Sequence, residues 1–351
     1  MRGPVYPAFV ALLLVISEAW FPTSVQIAQS LLHACTCLLV YRIGFILFNR
    51  RSAIIASILT AIHPYLIWFT AKIVTESLAT FLFTAIVFAF IFVLMNPKAH
   101  TVVLLGAALG IAALCKASLL PLVIGAPLLL MPALPRENRL RIACSVFGIA
   151  ILLIAPWTLR NYALTDRFVP VHSLFGYNLR IGDVQAEFYE RAPFSYFQLL
   201  SFKEHDVSSH GDTISHPWLR NAETVKAVEA DDELLRKSLT RYLDEPLLVV
   251  RKLLFGTIMF WTLSSNPLAT AFSALMQVPL LVLFIPAAVR VFRLRGVSST
   301  HALSVLLVGI YVICHIPIFA VARFSVVLVP TMLVYVVGRW FNPGNAPPSH
   351  P

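Results

Sequence analysis

Acidic side chains are scarce along most of this sequence. Only Glu18, Glu76 and Glu137 lie outside the segment 158–251, which holds the other fourteen of the seventeen Asp and Glu residues. Charged residues of either sign make up 13% of the chain, whereas hydrophobic residues make up 58%. A composition this poor in charge excludes a soluble globular protein and indicates an integral membrane protein.

Several familiar chemical signatures are also missing. The five cysteines lie in apolar stretches and none lies in 158–251, which argues against a disulfide-stabilised domain. The sequence contains no Walker A loop, nucleophile elbow or HExxH motif. His205, His210 and His216 lie in a Ser-rich run whose spacing fits no metal motif, and we interpret this run as a solvated loop. We interpret the acidic run 231–233 as an exposed helix face.

The basic residues are distributed as expected for a membrane protein. Twelve of the sixteen Lys and Arg residues outside 158–251 lie in short connections that can share one side of a membrane. They are Arg2, Arg42, Arg50, Arg51, Lys98, Arg136, Arg139, Arg141, Arg290, Arg293, Arg295 and Arg339. The net charge of +10 is therefore explained by membrane topology, and we expect no nucleic-acid partner.

The apolar runs predict about nine to ten membrane-spanning helices. The expected fold class is an all-α integral membrane protein, a polytopic helix bundle with one extracytoplasmic domain of mixed or helical structure. The predicted domains are an N-terminal transmembrane bundle at 1–157, an extracytoplasmic loop domain at 158–251, an interfacial helix with C-terminal transmembrane helices at 252–341, and a disordered tail at 342–351. Helix parity and charge asymmetry place the loop domain outside and the C-terminus in the cytoplasm.

Two helices are expected around the end of the loop domain. The first spans 219–244 and has apolar residues at near-helical spacing. These residues are Val225, Val228, Leu235, Leu239 and Leu243. The second, at 247–261, carries Arg251 and Lys252, and we interpret it as an interfacial helix because it is too short and too charged to span a bilayer.

Three cations, Lys72, Lys116 and Arg323, break the positive-inside pattern because they lie at predicted outer helix turns. With Arg160 at the exit of another helix, four positive groups are expected at the same outer surface. Glu76 is the only acid in a short turn on that side. Charges kept near the bilayer without a solvating loop mark candidate functional sites, and Lys and Arg side chains bind phosphate or pyrophosphate. The alternative is that these cations extend to lipid headgroups as ordinary helix-end residues do.

Short motifs along nearly the whole chain resemble those of one enzyme superfamily. They are RGPVYP at 2–7, the helix end at 41–51, HPY through TES at 63–77, CKAS at 115–118, PWTLRNY at 156–162 with FVPV at 168–171 and GYNL at 176–179, and ARF at 322–324. Each motif is weak alone, but six follow the family order. The chain thus resembles GT-C glycosyltransferases that use polyprenyl-phosphate sugars, the relatives of protein mannosyltransferases and the lipid A aminoarabinose transferase.

The resemblance implies sugar transfer from a polyprenyl-phosphate-linked donor to a lipid, glycan or protein acceptor on the extracytoplasmic face of the plasma (inner) membrane. Glu76 matches the acid of the second outer loop and is the candidate catalytic residue. The candidate substrate-binding residues are Lys72, Lys116, Arg160, Asn161, Asn178 and Arg323. We expect no organic cofactor. Some GT-C enzymes use a divalent metal, but metal ligands cannot be assigned in this sequence.

The resemblance departs from the family pattern at the N-terminus. Family members have a further helix before the RPPxYP motif and then an outer loop with the principal catalytic acid, and Glu18 does not match that acid. We expect that Met1 is a truncated or misassigned start, the alternative being a degenerate member without transferase activity. Two other functions stay open, a transporter or flippase of lipid-linked sugars, which should show paired broken helices, and a non-catalytic assembly protein.

Overall fold

The computed structural model describes residues 3–172, 174–191, 224–264 and 267–341, and its described secondary structure consists of helices. In chain order the α-helices are α1 Val5–Ile16, α2 Thr23–Leu47, α3 Arg50–Ala61, α4 Pro64–Thr70, α5 Glu76–Met95, α6 Ala99–Cys115, α7 Pro121–Leu130, α8 Arg136–Thr165, α9 Phe175–Arg191, α10 Thr224–Asp244, α11 Pro246–Thr262, α12 Pro267–Arg295, α13 Thr300–His315, α14 Ala322–Ser325 and α15 Val329–Phe341. Short 3₁₀ helices lie at Glu18–Trp20, Ala117–Leu119 and Val326–Leu328.

Five of the described helices are long and apolar enough to cross a membrane. They are α2, α5, α8, α12 and the continuous stretch Ala322–Phe341. This finding confirms the predicted class, a polytopic all-α membrane protein. Four shorter apolar helices lie at Val5–Ile16, Ala99–Cys115, Ala117–Leu130 and Thr300–His315. The predicted total of nine to ten spans requires these shorter helices to cross as well, and that count stays a prediction.

Helices α3 and α4 form a bent pair with an angle of 52° between them. Pro64 is the first residue of α4, and the preceding His63 adopts an extended conformation with φ −66° and ψ 114°. A residue before proline is driven out of the helical region by contact with the proline ring, so the first helix stops and a second begins. The apolar run therefore forms two short helices that can be counted together as a sixth span.

The chain divides into two compact units. The first comprises Gly3–Ala155, Met276–Val312 and the residues from Phe324 onward, and the second comprises Pro156–Leu275 and Ile313–Arg323. The domain boundaries expected from the sequence stay predictions. The histidine run 205–216 and the tail 342–351, for which we expect a solvated loop and disorder, lie outside the described residues.

The first unit is built around α5, which buries most of its apolar side chains. Phe83, Ile86 and Phe90 of this helix have no exposed surface, and α2 and α6 pack against it. Helix α3 packs in turn on α2, where a Cβ atom at Gly44 would lie 2.9 Å from the Cα of Ala53. Only glycine permits this approach, which is how small residues bring membrane helices together.

The second unit is organised around a buried carboxylate on α9. Asp183 has no exposed surface and accepts hydrogen bonds from Ser238 at 2.8 Å, Tyr242 at 2.6 Å and Lys252 at 2.6 Å. Burial lowers the pKa of Lys252, and the Asp183 carboxylate partly offsets this effect. Because the donors come from α10 and α11, one carboxylate joins three helices. Helix α11 agrees with the predicted helix at 247–261, and its interfacial position stays a prediction.

The packing of α10 corrects two expectations from the sequence. Leu239 and Leu243, expected on an apolar stripe, are 51% and 84% exposed. Asp231, expected on an exposed face, is buried, and its carboxylate accepts hydrogen bonds from the backbone N–H groups of Gly176 at 3.2 Å and Tyr177 at 2.8 Å. These donors have no partner within the first turn of α9, so the face of α10 that packs there must carry an acceptor.

The capping role of Asp231 can be tested by substitution. We expect Asp231→Ala to destabilise the second unit by about 1–3 kcal/mol, because it leaves buried N–H groups of α9 without acceptors. The measurement is amide hydrogen exchange in peptides covering 174–191, which should become faster. Asp232→Ala is the matched control, because Asp232 is the next acid on α10 and its side chain is 46% exposed. Its ion pair is with Arg167, 3.9 Å away, and Arg167 is not part of α9. Equal effects of the two substitutions would contradict the capping role.

Candidate active site

The candidate catalytic carboxylate forms a buried ion pair in the first unit. Glu76 is the first residue of α5, and Lys116 directly follows the last residue of α6. The Lys116 Nζ lies 3.2 Å from the Glu76 Oε1, and the two side chains are 10% and 3% exposed. The hydroxyl of Thr75 donates to the other carboxylate oxygen at 3.4 Å. The Lys116 Nζ also lies 4.8 Å from the centre of the Phe324 ring.

Local structure explains how these two charges are tolerated. Glu76 occupies the first turn of α5, where unpaired backbone N–H groups and the helix dipole favour a negative charge. Lys116 is placed between a carboxylate and an aromatic face, and both attract a cation. A buried ion pair persists only if its geometry and additional contacts offset the cost of removing two charges from water. The pair therefore couples the beginning of α5 to the end of α6.

Lys72 lies in the same unit, in the five-residue turn 71–75 that connects α4 to α5. Its side chain is exposed, and the Nζ lies 4.4 Å from the centre of the Trp68 ring. The carbonyl of Lys72 accepts a hydrogen bond from the backbone N–H of Val74 at 2.9 Å. An exposed ammonium held over an indole ring is available to a phosphate oxygen, as the sequence-based prediction for Lys72 requires.

Arg160 and Asn161 are adjacent in the second unit, near the end of α8. The Arg160 side chain is exposed and stacks on Trp157, with the guanidinium carbon 4.4 Å from the ring centre. Its Nη1 donates to the Asn161 Oδ1 at 3.3 Å. Asn161 has no exposed surface, and its Nδ2 donates to the Val169 carbonyl at 3.0 Å. Asn161 therefore holds Arg160 and fixes the following loop, whereas only the guanidinium reaches solvent.

The two motifs around Arg160 are held together by side-chain bonds to backbone carbonyls. The Trp157 indole N–H donates to Val171 at 3.2 Å, and the Thr158 hydroxyl donates to Pro170 at 2.9 Å. With the bond from Asn161 to Val169, three consecutive carbonyls of the FVPV motif accept from PWTLRNY. Two motifs that are separate in the sequence therefore form one local structure.

The remaining candidates lie elsewhere in the second unit. Asn178 lies in the first turn of α9 and is half-buried, and its backbone N–H donates to the Leu174 carbonyl at 3.1 Å. Arg323 is exposed on α14, whose first residue, Ala322, donates its backbone N–H to Leu263 at 2.7 Å. The structure thus pairs Glu76 with Lys116 in one unit and Arg160 with Asn161 in the other. The substrate-binding roles of the six candidates stay predictions.

A metal site does not emerge from the residues that the structure describes. Within that part of the chain, no group of three or more His, Cys, Asp or Glu side chains is arranged to hold a metal ion. The Glu76 carboxylate is paired with an ammonium group, which has no lone pair to offer a metal. The expectation about a divalent metal therefore stays a prediction, and no step below depends on one.

Polar residues of α2 form part of this site and were missed in the sequence. Gln29 has no exposed surface and donates to the carbonyls of Thr70 at 3.0 Å and Lys72 at 2.7 Å. Gln26 is half-buried and donates to the Ala71 carbonyl at 3.0 Å. The two amides are three residues apart, and therefore on one face of a predominantly apolar helix. Such a polar stripe in a membrane span is the signal that would have identified them.

The ion pair offers a test that separates stability from chemistry. We expect Lys116→Met to destabilise the protein by about 3–5 kcal/mol, because it leaves a buried carboxylate without its cation. The double variant Glu76→Gln/Lys116→Met should recover most of that loss, because no buried charge remains. The measurement is thermal unfolding of the purified protein, with the exposed Lys72→Met as control. A double variant as unstable as Lys116→Met would contradict the buried-charge explanation.

Comparison with known proteins gives one informative match. No curated protein and no solved structure matches this chain. Residues 1–159 match the family model of dolichyl-phosphate-mannose-protein mannosyltransferases, and this range contains Lys72, Glu76 and Lys116. The match supports a multi-pass membrane glycosyltransferase of the GT-C type. The resemblance to GT-C glycosyltransferases is thus confirmed over residues 1–159 of the chain.

Proposed function

We propose that this protein transfers a sugar from a polyprenyl-phosphate carrier to a lipid, glycan or protein acceptor on the extracytoplasmic face of the plasma membrane. The observation that carries the proposal is the buried pair of Glu76 and Lys116, 3.2 Å apart at neighbouring helix ends. It supplies a carboxylate and a cation in a place from which water is largely excluded, and such a place strengthens electrostatic effects on a reaction.

The two charges suit the two groups that change charge in a glycosyl transfer, the acceptor hydroxyl and the leaving phosphate. The bond between the anomeric carbon and the acceptor oxygen forms, the bond from that carbon to the phosphate oxygen breaks, and polyprenyl phosphate leaves with the bonding electrons. The acceptor hydroxyl gives up its proton, and the Glu76 carboxylate is the proposed proton acceptor. Lys116 holds that carboxylate in place before the transfer and favours the negative charge that develops on the phosphate.

Lys72 in the first unit and Arg160 in the second unit are each proposed, separately, as a phosphate-binding cation. Lys72 and Arg160 have the same local arrangement, since each lies 4.4 Å from the centre of a tryptophan ring that precedes it in the chain. A side chain held against an aromatic ring loses less conformational freedom when it binds a ligand, so its ionic contact is stronger. Arg160 can bind two phosphate oxygens at once, whereas Lys72 offers a single point charge.

A transporter of lipid-linked sugars is a weaker alternative. Transporters built from repeats have discontinuous helices in corresponding positions of their two halves. Among the described helices, one bent pair, α3 and α4, has this character. The carboxylate and ammonium of the buried pair also neutralise each other, and this arrangement suits proton transfer better than passage of an anion. The experiments below distinguish the alternatives, because transport alone releases no polyprenyl phosphate.

The catalytic role of Glu76 is tested in membranes that contain the full-length protein and a radiolabelled polyprenyl-phosphate sugar. We expect Glu76→Gln to lower the release of polyprenyl phosphate by about 10²- to 10⁴-fold, the usual effect of losing a general base. Glu18→Gln is the control, because Glu18 is an exposed acid near the N-terminus. Release that is unchanged in Glu76→Gln, or absent from the unmodified protein, would contradict the proposal.

The role of Arg160 predicts a different kinetic change. We expect Arg160→Gln to raise the KM for the donor about tenfold, which corresponds to about 1.4 kcal/mol, because a charge-assisted bond to phosphate is lost. The kcat should change little if Arg160 contacts the donor equally before and during the transfer. Arg167→Gln is the matched control, because Arg167 is an exposed arginine that lies just after the last residue of α8, Thr165. An equal KM for the two variants would remove Arg160 from the donor site.

A further inference from the structure

The amide of Gln29 has an unusually complete set of partners for a side chain inside a membrane helix. Its Nε2 donates to two backbone carbonyls, those of Thr70 at 3.0 Å and Lys72 at 2.7 Å. Its Oε1 accepts from the Tyr6 hydroxyl at 3.3 Å. Gln29 has no exposed surface, and Tyr6 is 9% exposed. One buried side chain thus joins α1, α2 and the last residue of α4.

The carbonyls that Gln29 contacts belong to the segment leading into the candidate catalytic residue. Thr70 ends α4, Lys72 lies in the turn 71–75, and Glu76 begins α5 at the end of that turn. Backbone carbonyls that are shielded from water must find donors within the protein, because an unpaired buried carbonyl is costly. Gln29 satisfies two such groups with one rigid amide, so it determines where the turn passes.

Tyr6 determines the orientation of that amide. An amide group can be rotated so that its oxygen and nitrogen exchange places, and only one orientation directs the nitrogen towards two carbonyls. The Tyr6 hydroxyl donates to the oxygen, so it favours the orientation in which both N–H bonds point at the turn. Tyr6 lies in the RGPVYP motif at 2–7, and this contact gives that motif a physical role 70 residues before Glu76.

We propose that Tyr6 and Gln29 are positioning residues, which hold the turn 71–75 so that the Glu76 carboxylate and the Lys72 ammonium are presented to the substrate. The proposal rests on the proposed transferase function and adds two residues that act through others. Neither side chain touches the reacting atoms. A shift of about 1 Å in a reacting group can cost about 100-fold in rate, so a residue that only fixes the backbone can still control the reaction.

Gln26 provides a comparison within the same helix. It donates to the Ala71 carbonyl, which lies between the two carbonyls that Gln29 contacts, but its hydrogen bond is exposed. Water can replace an exposed bond at little cost, whereas loss of Gln29 takes a donor from the buried Thr70 carbonyl and leaves the Lys72 carbonyl with the N–H of Val74. Gln29→Met should therefore disturb the turn more than Gln26→Met, although each substitution removes an amide of the same length.

The experiment measures the turn and the reaction in the same full-length variants. Gln29→Met keeps the size of the side chain and removes its hydrogen bonds, and Tyr6→Phe removes only the hydroxyl. We expect faster amide exchange in peptides covering 70–76 and a loss of kcat/KM of about 10- to 100-fold for Gln29→Met. Tyr6→Phe should also speed up amide exchange at 70–76 and lower kcat/KM, each by a smaller factor than Gln29→Met. Ser57→Ala is the control, because it removes a bond from α3 to the Cys37 carbonyl elsewhere on α2.

A coupling measurement separates positioning from general damage. Glu76→Asp keeps the carboxylate but shortens the side chain by one methylene group, so the carboxylate is already displaced from its position. A further displacement caused by movement of the turn 71–75 should therefore lower the rate little. We expect Gln29→Met to lower kcat/KM by less than about twofold in the Glu76→Asp background, because residues that act as a unit are not additive. A substitution that only reduces the amount of folded protein would lower the rate equally in both backgrounds.

The outcomes are distinguishable. Unchanged exchange at 70–76 in Gln29→Met would overturn the positioning role, and so would faster exchange with an unchanged kcat/KM or an equal loss in both backgrounds. Absence of transfer by the unmodified protein would instead overturn the proposed function. In that case hydrogen exchange alone decides whether Gln29 holds the turn, because that readout does not depend on activity.

Discussion

The desolvated contact between Glu76 and Lys116 is the constraint on which the candidate site depends. Each charge is costly in an apolar medium, so the two groups must meet in a favourable geometry, as their 3.2 Å contact shows. That requirement fixes the start of α5 relative to the end of α6, within the unit whose core is α5 itself. The Phe324 ring lies beside Lys116, and the Thr75 hydroxyl donates a hydrogen bond to Glu76.

The polar groups near the helix ends follow one physical rule. Where the backbone leaves a helix, its carbonyls need donors, and buried amide side chains supply them. Gln29 does so for the turn before α5, and Asn161 does so for the loop after α8. Both residues have no exposed surface. Lys72 lies in the turn that Gln29 holds, and the Arg160 guanidinium donates a hydrogen bond to Asn161 itself. Each cation is therefore next to a buried amide that also binds a backbone carbonyl.

The fold class and the ion pair's partners could be predicted from the sequence because they depend on local composition. Hydropathy identified the spans, and the unusual position of the outer cations identified Lys116 and Glu76. The pairing of Gln29 with a turn some 40 residues later could not be predicted, because a hydrogen bond to a backbone carbonyl leaves no trace in the sequence of its acceptor. Asp231 was misjudged for the same reason, since its partners are the N–H groups of α9.

A structural role for the ion pair is a poor explanation of why it is present. Two well-packed apolar side chains of similar volume would join α5 to α6 at least as firmly, because they would avoid the cost of burying charge. The protein instead keeps a carboxylate and an ammonium. It also holds the turn before Glu76 with Gln29 and Tyr6, whose polar groups are themselves costly to bury. Such an arrangement is expected where charge must develop or move during a reaction, since preorganised charges then need no rearrangement by solvent.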